Sequence, residues 1–150
     1  MMSGKKDDFK KIEKHLENYQ NYKIGIQNMK KQLEHYYPKI TTSYEPREGS
    51  SGSFTFHSTT EDYGLRRLEK REEMEQYIKA NSLVLDSIDS AIKLLEPIER
   101  EFVREFYFNK KNMKMVASTL GCTLKNTYSL KSEVKESFLI SLQNLKLMDV

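Results

Sequence analysis

The residues best equipped for chemistry in this chain are lysines. Between Phe106 and Lys135 there are six of them, Lys110, Lys111, Lys114, Lys125, Lys131 and Lys135, against the single acid Glu133. Ammonium groups in that density suit a polyanion, because each one that meets a phosphate releases condensed counterions. Among them stand Thr123, Asn126, Tyr128, Ser129 and Ser132, whose hydroxyl and amide groups hydrogen-bond base edges or phosphate oxygens. Catalysis has less to draw on. His15, His35 and His57 are not spaced as metal ligands, and the one cysteine, Cys122, is too far from them in sequence to complete a site. The run Glu99, Arg100, Glu101, Arg104, Glu105 has the three- and four-residue spacing of helical surface pairs and comes with no nucleophile or metal motif. The residues therefore point to a non-enzyme that needs no cofactor.

Charge along the chain agrees with this. Residues 1–43 hold nine Lys or Arg against five acids, residues 44–96 seven against eleven, and residues 97–150 nine against six. The net charge of +3 is too small to argue for nucleic acid; its concentration at the two ends is the informative part. A lone cysteine excludes an internal disulfide and fits a reducing compartment. No apolar run reaches the roughly 18 residues of a membrane span, and MMSGKKDDFKK lacks the apolar centre of a secretory signal, so the expectation is a cytoplasmic protein with no membrane partner.

The elements that must position these residues are all helical by period. Phe9, Ile12, Leu16, Tyr19, Ile26, Met29 and Leu33 recur at helical spacing up to Tyr37-Pro38, with a break or kink expected near residues 19 to 25 on account of the NYQNY run and Gly25. Residues 38–60 turn to Pro, Gly, Ser and Thr and are expected to form a flexible linker. Gly49 to Gly52 lacks the Lys-Ser/Thr pair of a phosphate loop, while Phe54 and Phe56 suit a short extended anchor. Glu61 to Leu95 predicts one long amphipathic helix. Its second half places Ile78, Leu85 and Ile92 on one seven-residue phase and Asn81, Ile88 and Leu95 on the other. Such a seam needs an apolar partner, either the Phe9–Leu33 stripe of the same chain or an equal seam in a homodimer. Pro97 then ends that helix and starts another, with Glu99 and Glu101 complementing its positive end.

The expected architecture is thus all-α: an N-terminal helix, a flexible linker, a long amphipathic helix and a C-terminal helix-turn-helix domain. Residues 1–96 form a helical hairpin or coiled-coil region and residues 97–150 the second domain. In the latter, Ile98, Phe102, Val103 and Phe106 give one apolar face, Met113, Val116, Ala117 and Leu120 the next, and Thr127, Leu130, Val134, Phe138, Leu142 and Leu145 the last, with Thr123 as an N-cap. Small Ala117, Gly121 four residues on, and the apolar face resuming beyond are what a helix-turn-helix requires, since its tight turn favours positive φ. At 100° per residue the third helix turns Lys125, Tyr128, Ser129 and Ser132 outward as base-edge candidates. Lys110, Lys111, Lys114, Thr123, Asn126 and Lys135 are the flanking or phosphate candidates.

These residues also carry a resemblance. The stretch LEPIEREFVREFYF followed by VASTLGCTLKNTYSLKSEV resembles region 4 of bacterial sigma factors, and REFVREFYFNKKNMKMV, preceded by an NYQNY helix and a Gly/Ser linker, resembles the RinA/ArpU-type transcriptional regulators of phages infecting Gram-positive bacteria. The resemblance implies an activator of late or packaging genes that binds double-stranded DNA and works with host RNA polymerase. Two features depart from the pattern. Thr127 stands where a larger aliphatic residue is usual, so looser packing of the third helix is expected there, and that helix contains no Arg. A small-terminase-like packaging protein, which also joins a helix-turn-helix to an oligomerising helix, and a coiled-coil adaptor that binds only protein remain alternatives.

Overall fold

In the computed structural model, residues 2–36 and 57–148 are described, and among them every regular element is helical. α1 spans Met2–Glu17, α2 Tyr19–Tyr36, α3 His57–Lys93 and α4 Pro97–Val103. α4 runs into a π-helical turn, Arg104–Phe108, followed by α5 (Met113–Leu120), α6 (Leu124–Ser141) and the short α7 (Gln143–Lys146). The all-α expectation holds.

Some boundaries differ from the sequence expectation. The break in the N-terminal stripe falls at Asn18, the first residue of the NYQNY run and one position before the expected window, while Gly25 lies inside α2. Amide bonds still bracket Asn18, from its own N–H to Lys14 O and from Tyr22 N–H to its carbonyl, so the helical path is offset without being abandoned. α3 begins at His57, four residues inside the stretch expected to be linker. Ser and Thr are only weak helix formers, and extending a helix that already exists avoids the cost of nucleation. Residues 37–56, with Gly49 to Gly52, Phe54 and Phe56, lie outside the described residues.

Two compact units make up the chain: Met1–Ile24 together with Asn81–Val150, and Gly25–Ala80. The boundary drawn from sequence between residues 96 and 97 falls inside the first of them. Its core joins both chain ends, because Phe9, Ile12, Leu16 and Tyr19 are buried in one cluster with Val84, Ile88, Ala91 and Leu95 and with Phe102, Val103, Tyr107, Val116, Val134, Phe138, Leu142 and Leu145. The buried row of α3 therefore shares one core with the N-terminal stripe and the C-terminal helices of the same chain. The seam itself is shifted: Ile88 and Leu95 are buried as expected, but Val84 and Ala91 occupy the other buried row, while Leu85 and Ile92 pack at its edge. Polar links tie the ends together as well. Tyr19 OH donates to Asp89, Tyr107 OH donates to Glu13 across 3.0 Å, and the Lys146 ammonium stands 3.7 Å from Asp8. Burial and the adjoining carboxylates push both tyrosine hydroxyls well above their ordinary range. His15 is buried too, with Nδ1 2.9 Å from Tyr22 OH and Nε2 facing the Met148 carbonyl, and burial lowers its pKa.

The π-helical turn explains how three consecutive aromatic residues serve one core. On a regular helix Phe106, Tyr107 and Phe108 would fan out over 200°. Here the wider turn, closed by Asn109 N–H to Arg104 O and followed by a bond from Lys111 N–H to Glu105 O, buries Tyr107 and leaves Phe106 and Phe108 half-buried against the same core. Tyr107 is edge-on to Phe102 and Phe106, and Phe108 stacks on Tyr19 with ring centroids 4.1 Å apart. Ile98 departs from its expected place on the buried face and is 39% exposed. It sits one residue after Pro97 at the start of α4, where the Arg100 guanidinium donates to the Leu95 carbonyl at 2.9 Å.

Within the second unit, α2 and α3 run antiparallel, since Gly25 meets Tyr77 while Met29 shares a groove with Lys70, Glu73 and Met74. A Cβ at Gly25 would lie 3.0 Å from the Tyr77 hydroxyl, so the missing side chain is what lets that tyrosine lie across the helix.

Candidate nucleic-acid interface

The site is built on α5, a three-residue turn and α6. Asn112 caps α5, its side chain accepting from Met115 N–H at 2.9 Å. Val116 and Ala117 turn into the core, Ala117 being the small residue the crossing of α5 and α6 needs. α5 closes at Gly121 in the left-handed region, φ 69° and ψ 29°. There Gly121 N–H bonds to Ser118 O and Cys122 N–H to Ala117 O, the paired bonds of a Schellman ending, which satisfy carbonyls the helix would otherwise leave bare. Thr123 caps α6, with its hydroxyl accepting from Asn126 N–H at 3.1 Å.

α6 rotates as its periodicity predicts. Thr127, Val134 and Phe138 are fully buried and Leu130 is half-buried. Thr127 does not leave the expected weakness, because its hydroxyl donates to Thr123 O at 2.9 Å and adds a second bond at the cap. Lys125, Tyr128, Ser129 and Ser132 are all exposed on the opposite side. The two serine hydroxyls donate back to the carbonyls of Lys125 and Tyr128, each at 3.3 Å, and their oxygens remain open as acceptors.

The basic candidates are not equivalent. Lys114, in the first turn of α5, and Asn126, in the first turn of α6, are exposed. Lys110 is exposed as well and takes φ 56°, the left-handed conformation a non-glycine residue rarely holds, at the bend between the π-helical turn and α5. Lys111 is half-buried and its ammonium pairs with the Glu105 carboxylate, whose pKa is lowered chiefly by that hydrogen bond. Lys135 is half-buried with its ammonium 5.3 Å from the centre of the Phe9 ring. Lys131 similarly covers Phe106 at 5.0 Å. Lys131 and Lys135 of α6 thus engage aromatic faces of the core, while Lys110 stands just before α5, Lys114 in its first turn and Lys125 in the first turn of α6.

Sequence reasoning overlooked Leu124. As the first residue of α6 it carries no partner in the apolar periodicity, and it is 40% exposed next to the polar candidates. No protein-family model, curated protein or solved structure matches this chain.

Proposed function

We propose that the protein is a sequence-specific double-stranded DNA-binding transcriptional regulator in which α6 is the reading helix. The observation that carries this is the joint geometry of α5 and α6: a left-handed Gly121 between a capped α5 and a Thr123-capped α6, leaving Lys125, Tyr128, Ser129 and Ser132 together on an uncovered face. A helix so presented fits the major groove, with phosphate contacts falling to Lys110 and Lys114 at its flank. The resemblance to RinA/ArpU-type regulators and to sigma region 4 adds the proposal that the protein activates phage late or packaging genes in a bacterial cytoplasm, working with the host RNA polymerase and without catalysis of its own. The α3 seam from Val84 to Leu95 is occupied within the chain, so a homodimer needs another surface.

Selection of bound fragments from a phage or host genome tests the proposal and identifies the site together. Recovery of one sequence class, retained against competitor DNA, is the expected result. Retention of no duplex at low salt would refute it and favour a protein-binding adaptor. A ring of eight or more subunits in solution would favour a packaging role.

A further inference from the structure

We infer that Leu124 is a specificity-determining residue that reads the C5-methyl group of thymine. This rests on the proposal that α6 is the DNA-reading helix. Leu124 is the first residue of α6, and recognition helices meet base edges mainly through their N-terminal residues. Two-fifths of its surface is open. The buried row of α6 is Thr127, Val134 and Phe138, and at 100° per residue Leu124 is turned 60° from Thr127 toward the exposed side and lies 40° from Tyr128, itself 52% exposed. Leu124 and Tyr128 therefore form one apolar strip one turn apart, bordered by the polar side chains of Lys125 and Ser132.

Neither folding need explains a leucine at this place. Thr123 already caps the helix, and Leu124 stands outside the buried core, in which Thr127 and Val116 are fully buried. What the strip lacks is an apolar surface to cover it. In the major groove the thymine methyl is the apolar substituent that base pairs present, amid hydrogen-bonding groups that suit Lys125, Ser129 and Ser132. A branched aliphatic side chain at the tip of the helix matches it in polarity and size. The serines and Lys125 then read donors and acceptors, and Leu124 distinguishes T·A from the other pairs at one position.

The test uses a duplex recovered by genomic selection and a series in which single thymines are replaced by deoxyuridine, which deletes the methyl and leaves the pairing edge intact. The full-length protein should lose about fourfold in affinity at one thymine per contacted site, the factor expected for one buried methyl. Leu124→Ala should bind the parent duplex at least as weakly as that and be indifferent to uracil at the same position, while Tyr128→Ala keeps the thymine-over-uracil preference there. Leu124 is 40% exposed, so Leu124→Ala should keep its helicity and lose only a little in melting temperature, and both are measured alongside. Sequence-specific binding with no uracil-sensitive thymine, or the same uracil penalty in Leu124→Ala, would overturn the Leu124 assignment and leave the DNA-reading proposal standing. Failure of the wild-type protein to hold any duplex at low salt would overturn both.

Discussion

Replacing Gly121 probes the turn on which the interface depends, and the structure sets the size of the effect. A Cβ built at Gly121 meets nothing within 4 Å, so a substitution there incurs no steric collision and its cost is conformational. At φ 69° an L-residue loses about 1–2 kcal/mol relative to its preferred backbone. Alanine also restricts the unfolded chain more than glycine does, which offsets about 0.4–1 kcal/mol. Gly121→Ala should therefore lose up to about 1.6 kcal/mol, and with about 2–4 °C per kcal/mol for a chain of this size, up to about 6 °C in Tm. Asparagine tolerates the left-handed region, so Gly121→Asn should lose less than alanine. Gly121→Val, with a β-branched side chain, should lose most, on the order of 2–3 kcal/mol. Thermal and urea unfolding followed by circular dichroism gives the order Gly, Asn, Ala, Val from most to least stable, and limited proteolysis of Gly121→Val should open the C-terminal helices before α3. Equal stability of all four proteins, or an asparagine variant weaker than the alanine one, would refute the conformational argument.

Three further expectations follow from particular contacts. Lys110→Ala and Lys114→Ala should each flatten the dependence of log K on log salt by about 0.9, whereas Lys111→Ala should change it less because its ammonium is held by Glu105; equal slopes for all three would show that the Glu105 pair opens on DNA. Glu99 sits at the start of α4, where burial, then Glu133 and Glu96, raise its pKa above the ordinary 4.5. The folded state therefore holds its proton to higher pH, stability falls as pH rises from 4.5 through the raised value, and Glu99→Gln should raise Tm at pH 7 but not below about pH 4.5; a lower Tm at pH 7 would contradict this. A fragment of residues 61–150 lacks Phe9, Ile12 and Leu16, each buried in the shared core. At about 1.5–3 kcal/mol per side chain the loss is on the scale of a whole domain's stability, so the fragment should melt without a cooperative transition, and a sharp, wild-type-like melt would refute the shared core.

The parts of the fold that repeat along one helix were legible in the sequence. The rotation of α6, the small Ala117 and the left-handed Gly121 all follow from spacing, because residues three, four or seven apart share a face whatever surrounds the helix. Contacts between distant segments were not. Nothing in its own period says that the Phe9 stripe shares a core with Val84 and Ile88, and Pro97 marks a helix boundary that does not divide that core. The same limit hid the roles of two lysines. Lys111 and Lys135 were chosen for charge, but Glu105 and the Phe9 ring are neighbours only in three dimensions. Tyr107, 1% exposed, stands four residues beyond Val103 and so shares its buried face by ordinary helical spacing. Leu124 escaped for another reason: a search for polar readers passes over an exposed leucine.

A core assembled from both ends of the chain also fixes a timetable for biosynthesis. Phe9, Ile12 and Leu16 leave the ribosome first, while Leu142 and Leu145, which share their cluster, follow about 130 residues later. At about 5–20 residues per second that interval is roughly 6–26 seconds. Throughout it the N-terminal stripe has no finished core to enter, and a helix of its length is marginal alone in water. The nascent chain therefore carries bare apolar side chains over that interval, a period whose length is set by the speed of translation between the two segments and not by the stability of the finished fold.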